Sequence, residues 1–154
     1  MSTTNVVRLK PEAASSGSAK KYGTAVMSHG VFILPALLLR AQGRLLVTST
    51  EMIVMLQLLE HWWTVDSQAY PSMATIATRT NLSRKTIQRT VDSLVAKTLI
   101  TKHNRRLPQG GKTSNQYKFD GLIAKLKAIE PDFEAARKTK KAAAKPGGLI
   151  GNKT

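Results

Sequence analysis

Along the middle of this chain the apolar residues recur at helical spacing, and in two short runs they alternate as strands do. Thr48 and Glu51 have the spacing of a capping box, and Met52, Ile53, Met55, Leu56 and Leu59 behind them predict a strongly apolar helix to about Trp63. Ser72 precedes Met73, Ile76 and Ala77, which share one face of a short helix. Asn81, a residue type that tolerates the left-handed conformation, then turns the chain toward Leu82 and Ser83. Ser83 is a good N-cap, and Ile87, Val91 and Leu94 form the apolar stripe of a second helix. Leu99 to Lys102 and Gln116 to Phe119 are strand-like, and Pro108, Gly110 and Gly111 break regular structure between them. Asp120 then caps a helix carrying Leu122, Ile123, Leu126 and Ile129, with a break expected at Pro131 and a further helical turn from Phe133 to Arg137. Upstream, Val31 to Leu39 is expected to pack on the domain, with Pro35 starting a short helix, as a core element or as a dimer contact.

The polar positions of the second helix change the picture. At about 100° per residue, Arg84, Lys85, Gln88 and Arg89 span an arc of about 140° beside the apolar stripe, all within the first two turns. Arginine can grip a guanine through two hydrogen bonds and glutamine an adenine, while Lys85 and the hydroxyls of Ser83 and Thr86 suit phosphate oxygens. Two helices joined by a tight turn, with a hairpin behind them, give a mainly α fold with a small β-hairpin, a winged helix-turn-helix. Arg105, Arg106 and Lys112 fall on or beside the hairpin tip, suited to backbone or minor-groove contact. Ser72, Thr75, Arg79 and Asn115 are weaker candidates for backbone contact. His61, Trp62 and Trp63 are read as core or dimer packing rather than as a base-stacking platform. They continue an apolar helix, and no other aromatic cluster accompanies them.

Charge points the same way. The 154 residues carry a formal +15, which favours a polyanionic partner, nucleic acid first. Between Arg79 and Lys112 nine basic residues face Asp92 alone, a net +8. Residues 1–24 are read as a disordered basic arm, 25–136 as the DNA-binding domain and 137–154 as a disordered tail. The tail's six cations, from Arg137 to Lys153, would attract DNA without reading it. With no cysteine, disulfides and thiolate metal sites are excluded. No apolar run approaches the ~20 residues of a membrane span, and Val31 to Leu39 lies too far from a basic start for a secretory signal, so a cytoplasmic protein is expected. Enzymatic readings find little to stand on. Gly110 to Ser114 has the letters of a phosphate-binding loop, but Arg106 stands where that loop needs glycine, and a strand pattern follows where it needs a helix. His29, His61 and His103 have no ligand spacing, and no serine has a histidine and acid partner. No catalytic residue, metal, cofactor or small-molecule substrate is expected.

A helix ending in aromatic residues, then YPS, an IA pair, SRKTIQR, an LI pair, a wing and TSNQYKF resembles the helix-turn-helix family of plasmid and phage replication proteins and mobile-element regulators, over about Leu34 to Leu126. The resemblance implies a winged-helix domain that binds double-stranded DNA. By position, Ser83, Arg84, Lys85, Thr86, Gln88 and Arg89 match its recognition helix, and Asn115 and Tyr117 its wing-return strand. The expected function is a sequence-specific transcriptional regulator, a repressor on a plasmid, phage or integrative element, acting as a homodimer. An origin-binding replication initiation or plasmid partition factor is the alternative, and a nonspecific architectural binder the third reading.

Overall fold

The computed structural model describes residues 17–143 apart from 65, 68 and 112. In chain order the elements are α1 (Gly17–Tyr22), α2 (Thr24–Met27), α3 (Ala36–Arg40), α4 (Ser49–Leu59), α5 (Met73–Thr80), α6 (Arg84–Ala96), β1 (Thr101–His103), β2 (Gln116–Lys118) and α7 (Asp120–Ala143). The helix-turn-helix is α5 and α6, and β1 and β2 are the wing.

Local chemistry sets where these helices start. The capping box forms as expected: the Glu51 N–H donates to Thr48 Oγ1 (3.2 Å) and the Thr48 N–H to Glu51 Oε2 (2.8 Å). Two further helices open with the same Ser-x-x-Thr device. Thr75 N–H donates to Ser72 Oγ (3.0 Å) and Thr86 N–H to Ser83 Oγ (3.1 Å), and in each pair the two hydroxyls are also hydrogen bonded. Asn81 takes the left-handed conformation (φ 56°) that closes α5 and aims the chain into α6.

The core lies where α4, α5 and α6 meet. Ile87, Val91 and Leu94 are fully buried, joined by Ile76 of α5, Val54, Met55 and Leu58 of α4, and Leu99, Ile100, Tyr117 and Phe119 from the wing. Each such aliphatic side chain contributes about 1.5–3 kcal/mol of transfer free energy. Within α4 the inward face differs from the expected one: Val54 and Leu58 are buried, whereas Ile53 is exposed. The helix also ends at Leu59, short of Trp63. Trp62 packs on Phe119 with ring centroids 5.2 Å apart, the core placement expected of it, whereas Trp63 is 63 % exposed and lies outside the core.

In the wing, Thr101 pairs with Lys118, Lys102 with Tyr117 and His103 with Gln116, antiparallel. Ala69, just before α5, bridges Tyr117, whose N–H donates to the Ala69 carbonyl (3.0 Å), so the chain entering the helix-turn-helix is tied to the wing. The tip closes through Gly110 N–H to Leu107 O (2.9 Å) and Leu107 N–H to Gly111 O (2.8 Å), with Pro108 at the second position of the turn.

Two expectations about the flanks differ from the structure, and a third holds in part. Gly17–Tyr22 is helical, inside the arm read as disordered; residues 1–16 lie outside the described residues. Helix α7 does not break at Pro131 but runs on to Ala143, past the 136 boundary and into the segment read as a tail, whose remainder from 144 lies outside the described residues. Contacts on both sides of the proline hold α7 in line. Ile129 and Phe133 pack against the core, Arg44 pairs with Asp132 (2.7 Å), and the Arg44 guanidinium lies 5.8 Å over the Phe133 ring. Val31 to Leu39 packs only in part: Leu38 is buried, while Val31, Phe32, Ile33 and Leu39 are exposed.

Candidate nucleic-acid interface

Helix α6 separates its two faces cleanly. With the stripe from Ile87 to Leu94 buried, Arg84, Lys85, Gln88 and Arg89 beside it are all exposed, over the first two turns. Ser83 is exposed and Thr86 half-buried, and both hydroxyls serve the N-cap. They remain able to exchange a further hydrogen bond, because a hydroxyl has one donor and two acceptor sites.

On the wing, Arg105 and Arg106 are exposed, and Lys112 lies outside the described residues. The Arg105 guanidinium sits 4.5 Å over the Tyr70 ring. A cation–π contact of this kind holds the guanidinium in place while leaving N–H groups to donate. Tyr70 was not among the expected site residues. It follows Ala69 at the bridge to β2, and only that pairing brings it beneath the wing.

The weaker candidates divide. Thr75 is exposed, and Ser72 is half-buried at the N-cap. Arg79 donates to Glu60 Oε2 (2.7 Å), an ion pair that ties α5 to the end of α4. Asn115 is half-buried beside Tyr117, with its amide 3.5 Å from the Tyr117 hydroxyl. Tyr117 itself is in the core, where burial pushes its hydroxyl pKa up.

One acidic residue stands among these cations. Asp92 accepts from Gln88 Nε2 at both oxygens (2.9 and 3.0 Å) and from Lys102 Nζ of β1 (2.8 Å). These hydrogen bonds, Gln88 first and then Lys102, hold its carboxyl below the usual carboxylate range. The i, i+4 spacing of Gln88 and Asp92 is visible in the sequence, whereas the approach of Lys102 is not.

Behind the interface, Glu51 is buried and joins α4 to α6. Lys97 Nζ donates to both its oxygens (2.9 and 2.7 Å) and Ser93 Oγ to one of them (2.6 Å). Burial by itself would raise the pKa of this carboxyl. The bonds from Lys97, Ser93 and the Thr48 N–H, with the lysine charge, outweigh it and lower the pKa from 4.5 to about 2.

Among the described residues no group of three His, Asp or Glu is gathered as a metal site, and no helix is long and apolar enough to cross a membrane.

Residues 47–100, which take in α4, α5 and α6, match the helix-turn-helix domain family. Nothing among curated proteins matches the chain. Among solved structures, a possible transcriptional regulator from Methanosarcina mazei Go1 is similar at 19% identity over 69% of this chain and 85% of that one, with a TM-score of 0.43. The element order, the capped turn between α5 and α6, the antiparallel hairpin and the family match over 47–100 agree on one architecture: a helix-turn-helix of the winged type, the architecture of a DNA-binding domain.

Proposed function

We propose that this protein binds duplex DNA at specific sequences and acts as a transcriptional regulator. Helix α6 enters the major groove with Arg84, Lys85, Gln88 and Arg89 toward base edges, and Ser83 and Thr86 meet phosphate. Arg105, Arg106 and Lys112 of the wing contact the flanking backbone or minor groove. The observation that carries this reading is the two-faced character of α6: a fully buried stripe beside an exposed basic arc at the capped N-terminal end. Residues 25–136 form the binding domain in this reading, with the flanking basic segments adding sequence-independent attraction. Repression on a plasmid, phage or integrative element is the finer assignment, supported by the resemblance over Leu34 to Leu126. A homodimer would read an inverted repeat, since a twofold protein matches a twofold site.

Selection of bound duplexes from the replicon that carries the gene, at near-physiological salt, tests the proposal. Enrichment of inverted repeats beside promoters is the expected result. An array of direct repeats near an AT-rich segment would transfer the protein to origin binding or partition. No enrichment at all would reduce it to a nonspecific binder. On an enriched site Arg84→Ala or Arg89→Ala should cost about 1–3 kcal/mol more than on random duplex. Equal losses on both would make that arginine a phosphate contact.

A further inference from the structure

Asp92 is out of place for a surface that only attracts DNA. It is the sole acid between Arg79 and Lys112. At about 100° per residue it falls at about 80° within the arc that runs from Arg84 to Arg89, one turn beyond Gln88. A carboxylate there weakens attraction to phosphate, and Lys102, pairing with it, is withdrawn from the DNA as well.

What the carboxylate does accomplish is to orient an amide. Both Asp92 oxygens are acceptors only, so the group facing them at 2.9 and 3.0 Å must be the Gln88 NH2. The amide is planar and its two polar atoms diverge, so Oε1 faces away from Asp92. A glutamine on an exposed helix face would otherwise present its donor or its acceptor with equal ease. The ion pair from β1 holds Asp92 from the wing side at 2.8 Å, which keeps the carboxylate on Gln88 rather than leaving it to swing into solvent.

We infer that Asp92 is a specificity-determining residue of the DNA interface: by holding the Gln88 amide nitrogen it commits the Gln88 carbonyl oxygen to the groove, so this position selects a base that presents an exocyclic amino group there, adenine or cytosine. Guanine presents O6 and N7, and thymine O4 and a methyl group, none of which donates to a carbonyl oxygen. With adenine the second N–H of Gln88 can still reach N7. The inference rests on the DNA-binding reading above and adds to it the base class and the residue that sets it.

The test is selection on randomised duplexes with the full chain, comparing wild type, Gln88→Ala, Asp92→Ala and Asp92→Asn. The position whose preference Gln88→Ala erases is the one Gln88 reads. Wild type should favour adenine or cytosine there. Asp92→Ala should lower that preference by about tenfold and leave the rest of the consensus intact, even as its added net charge raises affinity generally. Asp92→Asn, with an amide of its own that can donate to Gln88 Oε1, should relax the same position without a change in size. Asp92 is exposed and outside the core, so both variants should melt with wild type. Guanine or thymine at the Gln88 position overturns the inference. So does a consensus that Gln88→Ala leaves unaltered, or a uniform gain in affinity from Asp92→Ala with no position relaxed, which would make Asp92 a repulsive charge only. In each of those results a consensus still stands and the DNA reading with it; a wild-type protein that selects nothing would instead fail that reading itself.

Discussion

Single residues decide the chemistry of this domain more than its size does. Glu51 caps α4, accepts from Ser93 of α6 and from Lys97 just past its end, and stays ionised while buried. Because its pKa is about 2 in the folded chain against 4.5 when unperturbed, the native state binds the proton less readily than the unfolded state. The pairing therefore contributes fully above about pH 4.5 and is lost as pH falls toward 2, a loss of about 3 kcal/mol. Glu51→Gln should lower stability at neutral pH by about 1–3 kcal/mol and flatten the acid limb. Denaturant melts from pH 7 to 2 measure both effects, and an unaltered limb would place the acid sensitivity elsewhere. Asp92 shows how far a sequence carries at this scale. Its spacing from Gln88 is plain in the chain, but its pairing with Lys102, ten residues further on in β1, is not.

Between elements, a close approach of backbones seats α7. Leu122 N–H donates to Leu99 O (2.8 Å), and Lys125 reaches the Lys97 carbonyl. Thr98 is left-handed (φ 56°) at the turn below. The approach leaves Gly121 no room for a side chain: an added Cβ would overlap the Thr98 carbonyl oxygen and lie 2.9 Å from its carbon. Gly121→Ala should therefore destabilise by about 1–3 kcal/mol or more, since backbone and not a flexible side chain would have to move. Gly43→Ala, where a Cβ meets nothing within 4 Å, is the matched control for thermal melts. Equal melting of the two variants would mean α7 can reseat at no cost. Helix boundaries were legible where capping is local, at Ser72, Ser83 and Thr48. The inward face of α6 was legible too, because its apolar and charged residues separate. That of α4 was not: Ile53 and Val54 are alike in sequence, and only the packing of neighbours chose Val54.

For the whole molecule, the long reach of α7 alters the electrostatic reading. Arg137 and Lys138, counted in the sequence as tail cations, pair with Glu134 at 2.9 and 3.7 Å, whereas Lys140 and Lys141 are exposed in the last turn of the helix. If that end of α7 lies along the DNA, Lys140→Gln with Lys141→Gln should reduce the salt dependence of binding, log K against log salt, by up to about 2 and leave the selected consensus untouched. An unchanged slope would turn α7 away from the duplex. A shifted consensus would give it a reading role.

What the sequence determined by itself was everything that closes within a few residues or follows from a sorted pattern: the caps at Thr48 and Ser83, the left-handed Asn81, the buried stripe and basic arc of α6, and the hairpin with its break at Pro108. Tertiary structure decided what depends on residues far apart. It continued α7 through Pro131 because Asp132 and Phe133 meet Arg44; it sent Trp62 inward onto Phe119 and Trp63 outward; it set Arg105 over Tyr70 and Lys102 against Asp92. The physical reason is one of range. Backbone hydrogen bonds at helix ends and hydrophobic periodicity are satisfied by neighbours in the chain, while the direction of a ring or of an amide on a surface is fixed by whichever distant group completes its contacts.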